Sequence, residues 1–87
     1  MEYNSAMKAP IPLVVSAFWD GEAQVWVATS DDVPGLATEA DSVEALVAKL
    51  KVMIPDLLDA NGYENADEDV PFTVKTEVRA VAPRHAA

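Results

Sequence analysis

The sequence contains no cysteine and only one histidine, His85. Without thiols the chain can form no disulfide framework, no Cys-ligated zinc site and no thiol nucleophile. His85 lies in the predicted tail and the four serines have no evident base, so a histidine-based triad is not expected. The sequence therefore predicts a protein that is not an enzyme, that uses no cofactor or metal and that is held together by packing.

Glycine is also scarce, and long apolar runs are missing. Gly21, Gly35 and Gly62 are isolated from one another, so no glycine-rich phosphate loop is present. No apolar run approaches the roughly 18 residues that cross a bilayer. The first residues, MEYNSAMKAP, lack the basic stretch and apolar core of a secretory signal. These absences favour a cytoplasmic protein without membrane contact.

Positive charge is the third deficit. The chain has six Lys and Arg residues and fifteen Asp and Glu residues, which gives a formal charge of -9. The cations are scattered along the chain. Such a surface repels phosphate backbones, so we expect no direct nucleic-acid binding by this chain alone. An acidic surface suits a basic protein partner. The charge is equally consistent with a role in keeping a small protein in solution.

The first ordered element predicted by the pattern is a β-hairpin. Leu13 to Trp19 and Gln24 to Thr29 are rich in β-branched and aromatic residues. Asp20 and Gly21 lie between them, and Gly21 is predicted to supply the positive φ of a tight turn. A second turn follows at Pro34 and Gly35, where the order proline then glycine is typical of type II.

A short third strand, Leu36 to Glu39, and a helix are predicted next. Asp41 is the preferred N-cap, in a capping box with Glu44, and Ser42 is the alternative cap. The apolar residues then recur at steps of three and four, which is typical of one face of a helix: Val43, Leu46, Val47, Leu50, Met53, Ile54, Leu57 and Leu58. This register continues through Pro55, which predicts one kinked helix, and Asn61-Gly62 is expected to end it.

The remaining sequence predicts an acidic linker and a last strand. The linker covers Tyr63 to Asp69, and apolar residues alternate with polar ones from Val70 to Arg79. Residues 1–12 are interpreted as an unstructured lead-in, 13–81 as the domain and 82–87 as a tail. The expected fold is a single small α+β domain of order β-β-β-α-β, with an antiparallel-rich sheet and one kinked helix packed on one face.

The hairpin carries apolar residues on both of its faces. Leu13, Val15, Ala17 and Trp19 lie on one face, and Val14 and Phe18 on the other. One helix covers one face only, and contiguous exposed apolar surface marks interaction sites. We therefore expect the uncovered face, or an edge beside it, to be buried by a second copy, in a dimer or tetramer, or by another protein.

Six residues are the candidate interface residues. Trp19 and Trp26 are large apolar anchors of the kind that dominate interfaces, although core packing explains at least one of them. The others form the acidic Pro-Gly turn: Asp31, Asp32, Pro34 and Gly35. Acidic clusters at Asp31-Asp32 and Asp67-Glu68-Asp69 leave a metal-dependent hydrolase as a remote alternative, with solvated loops as the simpler interpretation.

The order of these features resembles the HicB-like antitoxin domain family. The resemblance is carried by Asp32-Val33-Pro34-Gly35, Thr38, Asp41-Ser42 and Glu44-Ala45-Leu46, and it covers roughly Leu13 to Val81. It implies a fold like a partial RNase H core without a nuclease site, self-association, and neutralisation of a small basic RNA-cleaving toxin of the HicA type.

The sequence departs from this family in three places. Leu36 stands where the family has a small residue or cysteine, and Ala40 where it has glycine. The DNA-binding module that usually follows the domain is not seen after the last strand. A short branch of the family is the interpretation that the resemblance favours, and the alternative is a stand-alone structural or small-ligand-binding homo-oligomer.

Overall fold

A computed structural model describes residues 11–63 and 69–85. Its elements follow the predicted order β-β-β-α-β and form an α+β domain, which confirms the expected fold class. The four strands make one mixed sheet in the order β3-β2-β1-β4. The helix covers one face of this sheet. The elements are β1 (Leu13–Asp20), β2 (Val25–Thr29), β3 (Ala37–Ala40), α1 (Val43–Ala60) and β4 (Phe72–Glu77).

The hairpin of β1 and β2 is antiparallel, and Trp19 pairs with Trp26. Its loop is tied by Asp20, whose carboxylate accepts hydrogen bonds from the N–H groups of Glu22 and Ala23 at 3.0 and 3.2 Å. The positive φ of 60° belongs to Gln24 and not to Gly21. The prediction for Gly21 is therefore wrong, because the loop has four residues, 21–24, and the left-handed residue is the last of them rather than the glycine at its start.

The Pro-Gly turn is confirmed. Gly35 has a φ of 86°, and the N–H of Leu36 donates to the carbonyl of Val33 at 3.1 Å, as a type II turn requires. The strand that follows begins and ends one residue later than predicted, at Ala37 and Ala40.

The helix begins after Ser42, whose hydroxyl accepts a hydrogen bond from the N–H of Ala45 at 3.0 Å. The preferred capping box of Asp41 and Glu44 is therefore wrong, and the alternative cap is correct. With Ser42 as the cap, Glu44 still lies in the first turn, where its charge favours the positive end of the helix dipole.

The helix runs through Pro55 to Ala60 as one element, as predicted, and the bend at the proline stays a prediction. It ends in a Schellman arrangement. The N–H groups of Gly62 and Tyr63 donate to the carbonyls of Asp59 and Leu58 at 3.1 and 3.0 Å, and Gly62 has a φ of 78°. The acidic linker lies largely outside the described residues, and so do residues 1–10 of the lead-in.

Strand β4 returns beside β1 and runs parallel to it, with Leu13 opposite Phe72 and Phe18 opposite Glu77. The alternation in the sequence continues to Arg79, but the pairing stops at Glu77. The core lies between the sheet and the helix, and its buried residues are Leu13, Val15, Ala17, Ala28, Val33, Leu36, Ala40, Leu46, Leu50, Ile54 and Leu58.

Candidate protein-binding surface at the hairpin end of the sheet

The six candidate residues fall at the two ends of β1. Asp31, Asp32, Pro34 and Gly35 belong to the corner, defined as residues 30–36, which meets β1 at Val14. Trp19 and Trp26 belong to the hairpin end. Val14 and Trp19 are five residues apart along one strand, which is roughly 17 Å at the usual rise per residue. The structure therefore separates the predicted interface into two distinct regions.

The corner is built on hydrogen bonds to the backbone of Val14. The Asp32 carboxylate accepts from the Val14 N–H at 2.8 Å, and the Ser30 hydroxyl donates to the Val14 carbonyl at 2.6 Å. The Asp32 N–H in turn donates to the Ser30 hydroxyl oxygen at 3.1 Å. Since β2 ends at Thr29, these two side chains provide Val14 with the partners that another strand residue would supply. Asp32 therefore has a structural role in the fold.

The rest of the corner packs against the end of the helix. The Asn61 amide donates to the Pro34 carbonyl at 3.2 Å and to the Leu57 carbonyl at 2.8 Å. A Cβ at Gly35 would lie 3.7 Å from the Leu57 side chain, an ordinary contact, so the positive φ rather than space requires glycine. Asp31 and Pro34 are exposed, and contact of these residues with a partner stays a prediction.

The hairpin end carries the two tryptophans on the helix-covered face. Their rings meet edge to face, with centroids 5.5 Å apart and planes at 61°. Trp26 is half-buried and packs against the core, whereas Trp19 is 39% exposed. The core packing expected of at least one tryptophan therefore belongs to Trp26, and contact of the exposed part of Trp19 with a partner stays a prediction.

Phe18 points to the opposite, uncovered face of the sheet and is 47% exposed. In register with it lie Val27 on β2 and Glu77 on β4, and Val27 in turn faces Glu39 on β3. One row across the open face therefore reads Glu39, Val27, Phe18, Glu77. Apolar side chains occupy the centre of the row and a carboxylate lies at each end.

A groove runs round the edge of the sheet beside Phe18 and Trp19. It has a volume of about 470 Å³ and is completed by Glu77, Val78 and Arg79. The Arg79 guanidinium donates to the Glu77 carboxylate at 2.8 Å, and this hydrogen bond and charge raise the pKa of Arg79 above its ordinary value. Both side chains are exposed, so solvent screens the pair and it contributes little to stability.

Sequence reasoning placed Phe18 on the face of β1 opposite Leu13 and Trp19, without deciding which face the helix covers, and did not include Phe18 among the candidate interface residues. It also missed the juxtaposition of Phe18 with Val78 and Arg79. Strand alternation could show that Phe18 and Val27 share a face. The position of β4 beside β1 could not be read in this way, because the two strands are separated by most of the chain.

The described residues include no group of three or more His, Asp and Glu side chains placed to hold a metal ion. Asp67 and Glu68 of the acidic cluster lie outside the described residues, and the carboxylate of Asp32 is engaged by the backbone. Within the described chain, no helix has the length and apolar character needed to cross a membrane.

The fold and the open face thus define a small α+β domain with an exposed aromatic at one end of its sheet. The chain belongs to the DUF1902 family, a domain of unknown function, whose model matches residues 12–86.

A crystal structure of the hypothetical protein TTHA1013 from the extremely thermophilic bacterium Thermus thermophilus is similar to this chain. It is 52% identical, with a TM-score of 0.61 over 82% of this chain and 96% of that one. No curated protein matches the sequence.

Proposed function

We propose that this chain is a non-enzymatic, HicB-like protein-binding domain of the cytoplasm that self-associates and neutralises a small basic toxin of the HicA type. The observation that carries the proposal is Phe18, 47% exposed on the uncovered sheet face of a strongly acidic protein. Aromatic side chains in such positions are typical interface anchors. We propose a HicA-type toxin as the partner because the order of turn, cap and helix start resembles that of HicB-like domains.

The charges around Phe18 support a basic partner. Glu39 is exposed at the β3 end of the row, and its side chain lies on the same face as Val27 and Phe18. At the other end of the row, Glu77 is paired with Arg79 at 2.8 Å, and Lys75 lies two residues before Glu77 on the same face of β4. A partner with an apolar residue surrounded by Lys or Arg would match this arrangement, and complementary charge would accelerate its association.

Co-expression with the product of the neighbouring reading frame tests the proposal. We expect a small basic protein to co-purify with this chain, and its expression alone to arrest growth in a way that this chain relieves. Phe18→Ser should weaken capture at least roughly tenfold. Val52→Ser, at a helix position that is 67% exposed, is the matched control and should bind normally. If the two products fail to co-purify, the antitoxin role is excluded.

A stand-alone homo-oligomer that binds a small ligand is the second candidate. The groove beside Phe18 and Trp19 favours it, because a volume of about 470 Å³ lies within the range of small-molecule sites. In that case tryptophan fluorescence from Trp19 should respond to a ligand, and a Trp19→Phe variant should lose the response. No basic protein would co-purify, and this outcome separates the second candidate from the first.

A further inference from the structure

The two edges of the sheet are protected to different degrees. Strand β3 has four residues, and the Lys49 ammonium donates to the carbonyl of Glu39 at 2.6 Å. Strand β4 has six residues. Within residues 11–63 and 69–85, no hydrogen bond reaches the side of β4 that faces away from β1. A strand edge with unpaired backbone groups is a template for another strand.

The ladder between β1 and β4 determines which backbone groups of β4 face outward. The Leu13 N–H donates to the Pro71 carbonyl at 3.0 Å, and Leu13 stands opposite Phe72. In a parallel ladder, alternate residues bond to the same neighbour. The odd-numbered residues from Pro71 to Glu77 therefore bond to β1. The even-numbered residues present their N–H and C=O groups to solvent: Phe72, Val74, Thr76 and, beyond the strand, Val78.

We propose that a second copy of this chain pairs with the outer edge of β4, antiparallel, across a two-fold axis at Thr76. This inference concerns the self-association proposed above and does not depend on the toxin. A two-fold axis normal to the sheet makes the paired strands antiparallel and joins the two sheets into one of eight strands, with both helices on the same side.

Charge excludes Lys75 and Glu77 as the centre of the pairing and favours Thr76. An axis at Lys75 places two lysines directly opposite each other, and an axis at Glu77 places two glutamates opposite each other, which is destabilising. With the axis at Thr76, Lys75 of each copy faces Glu77 of the other. An axis at Val78 also pairs opposite charges, Glu77 with Arg79, but it moves Val74 out of reach of Val78.

The same register explains why the sequence alternates beyond the end of the strand. Val78 is 70% exposed and lies opposite Val74 of the second copy in this arrangement. Ala80 lies opposite Phe72. Residues 78–80 have no regular secondary structure in the single chain, because their pairing with β1 has stopped at Glu77. The second copy supplies the missing neighbour, and β4 extends to Ala80.

The mass of the chain alone in solution, measured by sedimentation equilibrium, tests the interface without any partner protein. The natural chain should have the mass of a dimer or of a whole number of dimers. Thr76→Pro should reduce it to the monomer, because it removes the central outward N–H, while its far-UV circular dichroism stays native since Thr76 makes no bond to β1. A natural chain that is monomeric, or a folded Thr76→Pro variant that remains dimeric, overturns the proposal.

Charge exchange and cross-linking test the register. Lys75→Glu should weaken the dimer at least roughly tenfold, and the double variant Lys75→Glu, Glu77→Lys should restore it. Lys51→Glu, on the exposed helix surface, is the control and should have no effect. In this cysteine-free chain, Thr76→Cys should form an intermolecular disulfide, since paired residues lie within bridging distance. Val52→Cys should not. Failure of the double variant, or preferential cross-linking of Val78→Cys, excludes the axis at Thr76.

Discussion

The two regions at the ends of β1, the corner and the hairpin end, look alike in the sequence and differ in the structure. Both combine an acidic residue with a turn and neighbouring apolar residues. At the corner, Asp32 and Ser30 are bonded to the backbone of Val14, and Val33 and Leu36 are buried. At the hairpin end, Phe18 and Trp19 remain exposed. A carboxylate beside a Pro-Gly turn can therefore serve the fold rather than a partner, whereas an exposed aromatic has no such internal role.

The largest expected effect is at the buried part of the corner. Leu36→Ala should lower the free energy of unfolding by about 2 to 5 kcal/mol, because it leaves a cavity between the corner and the core. Urea denaturation followed by circular dichroism measures the change. Val52→Ala, at an exposed helix position, is the control and should change stability by less than about 0.5 kcal/mol. Equal losses in the two variants would contradict the structural role of the corner.

The neighbouring carboxylates provide a matched pair. Asp32→Ala should cost about 1.5 to 3 kcal/mol, since the half-buried Val14 N–H loses a charged acceptor. Asp31→Ala, one residue away and exposed, should be close to neutral. Amide hydrogen exchange at Val14 would localise the effect, with loss of protection only in the Asp32 variant. If Asp31→Ala were the more destabilising change, the assignment of roles in the corner would have to be reversed.

The two turns differ in the backbone conformation of their glycines. Gly35→Ala should destabilise the protein by about 1 to 2 kcal/mol, because Gly35 has a φ of 86°. Gly21→Ala should have little effect, since the positive φ of the hairpin loop lies at Gln24. Thermal unfolding of the two variants makes the comparison directly. A larger loss of stability for Gly21→Ala than for Gly35→Ala would support the turn predicted from the sequence, with its positive φ at Gly21.

The smallest effect on stability is expected at the hairpin end. Phe18→Ser should change the free energy of unfolding by less than about 1 kcal/mol, because its side chain is already half exposed. Its effect should appear in partner binding instead, as described for the co-expression test. A variant that unfolds readily would show that Phe18 serves the fold, and the contrast between the two ends of β1 would disappear.

Local signals in the sequence were sufficient for most of the fold. The alternation of the strands, the helical spacing through Pro55 and the Pro34-Gly35 turn each depend on neighbouring residues, and each is confirmed. The N-cap was harder to predict, because two adjacent residues, Asp41 and Ser42, are both good caps. The hairpin loop was harder too, because the length of the loop decides which residue takes the left-handed conformation.

The candidate site was harder to predict because its residues meet through long-range pairing. Phe18 and Glu77 become neighbours only when the last strand returns beside the first. The role of Asp32 depends on Val14, 18 residues earlier in the chain. The sequence shows the chemistry of these side chains but does not show whether backbone groups elsewhere will use it.

The strand order has a consequence for synthesis of the chain. The first strand lies in the interior of the sheet, and its second neighbour is the last strand. A nascent chain can form the hairpin early, but the other side of Leu13–Asp20 stays unpaired until Glu77 has left the ribosome. The sheet is therefore completed only after β4 has emerged, and a ribosome stalled within the helix would leave one side of this apolar strand unpaired.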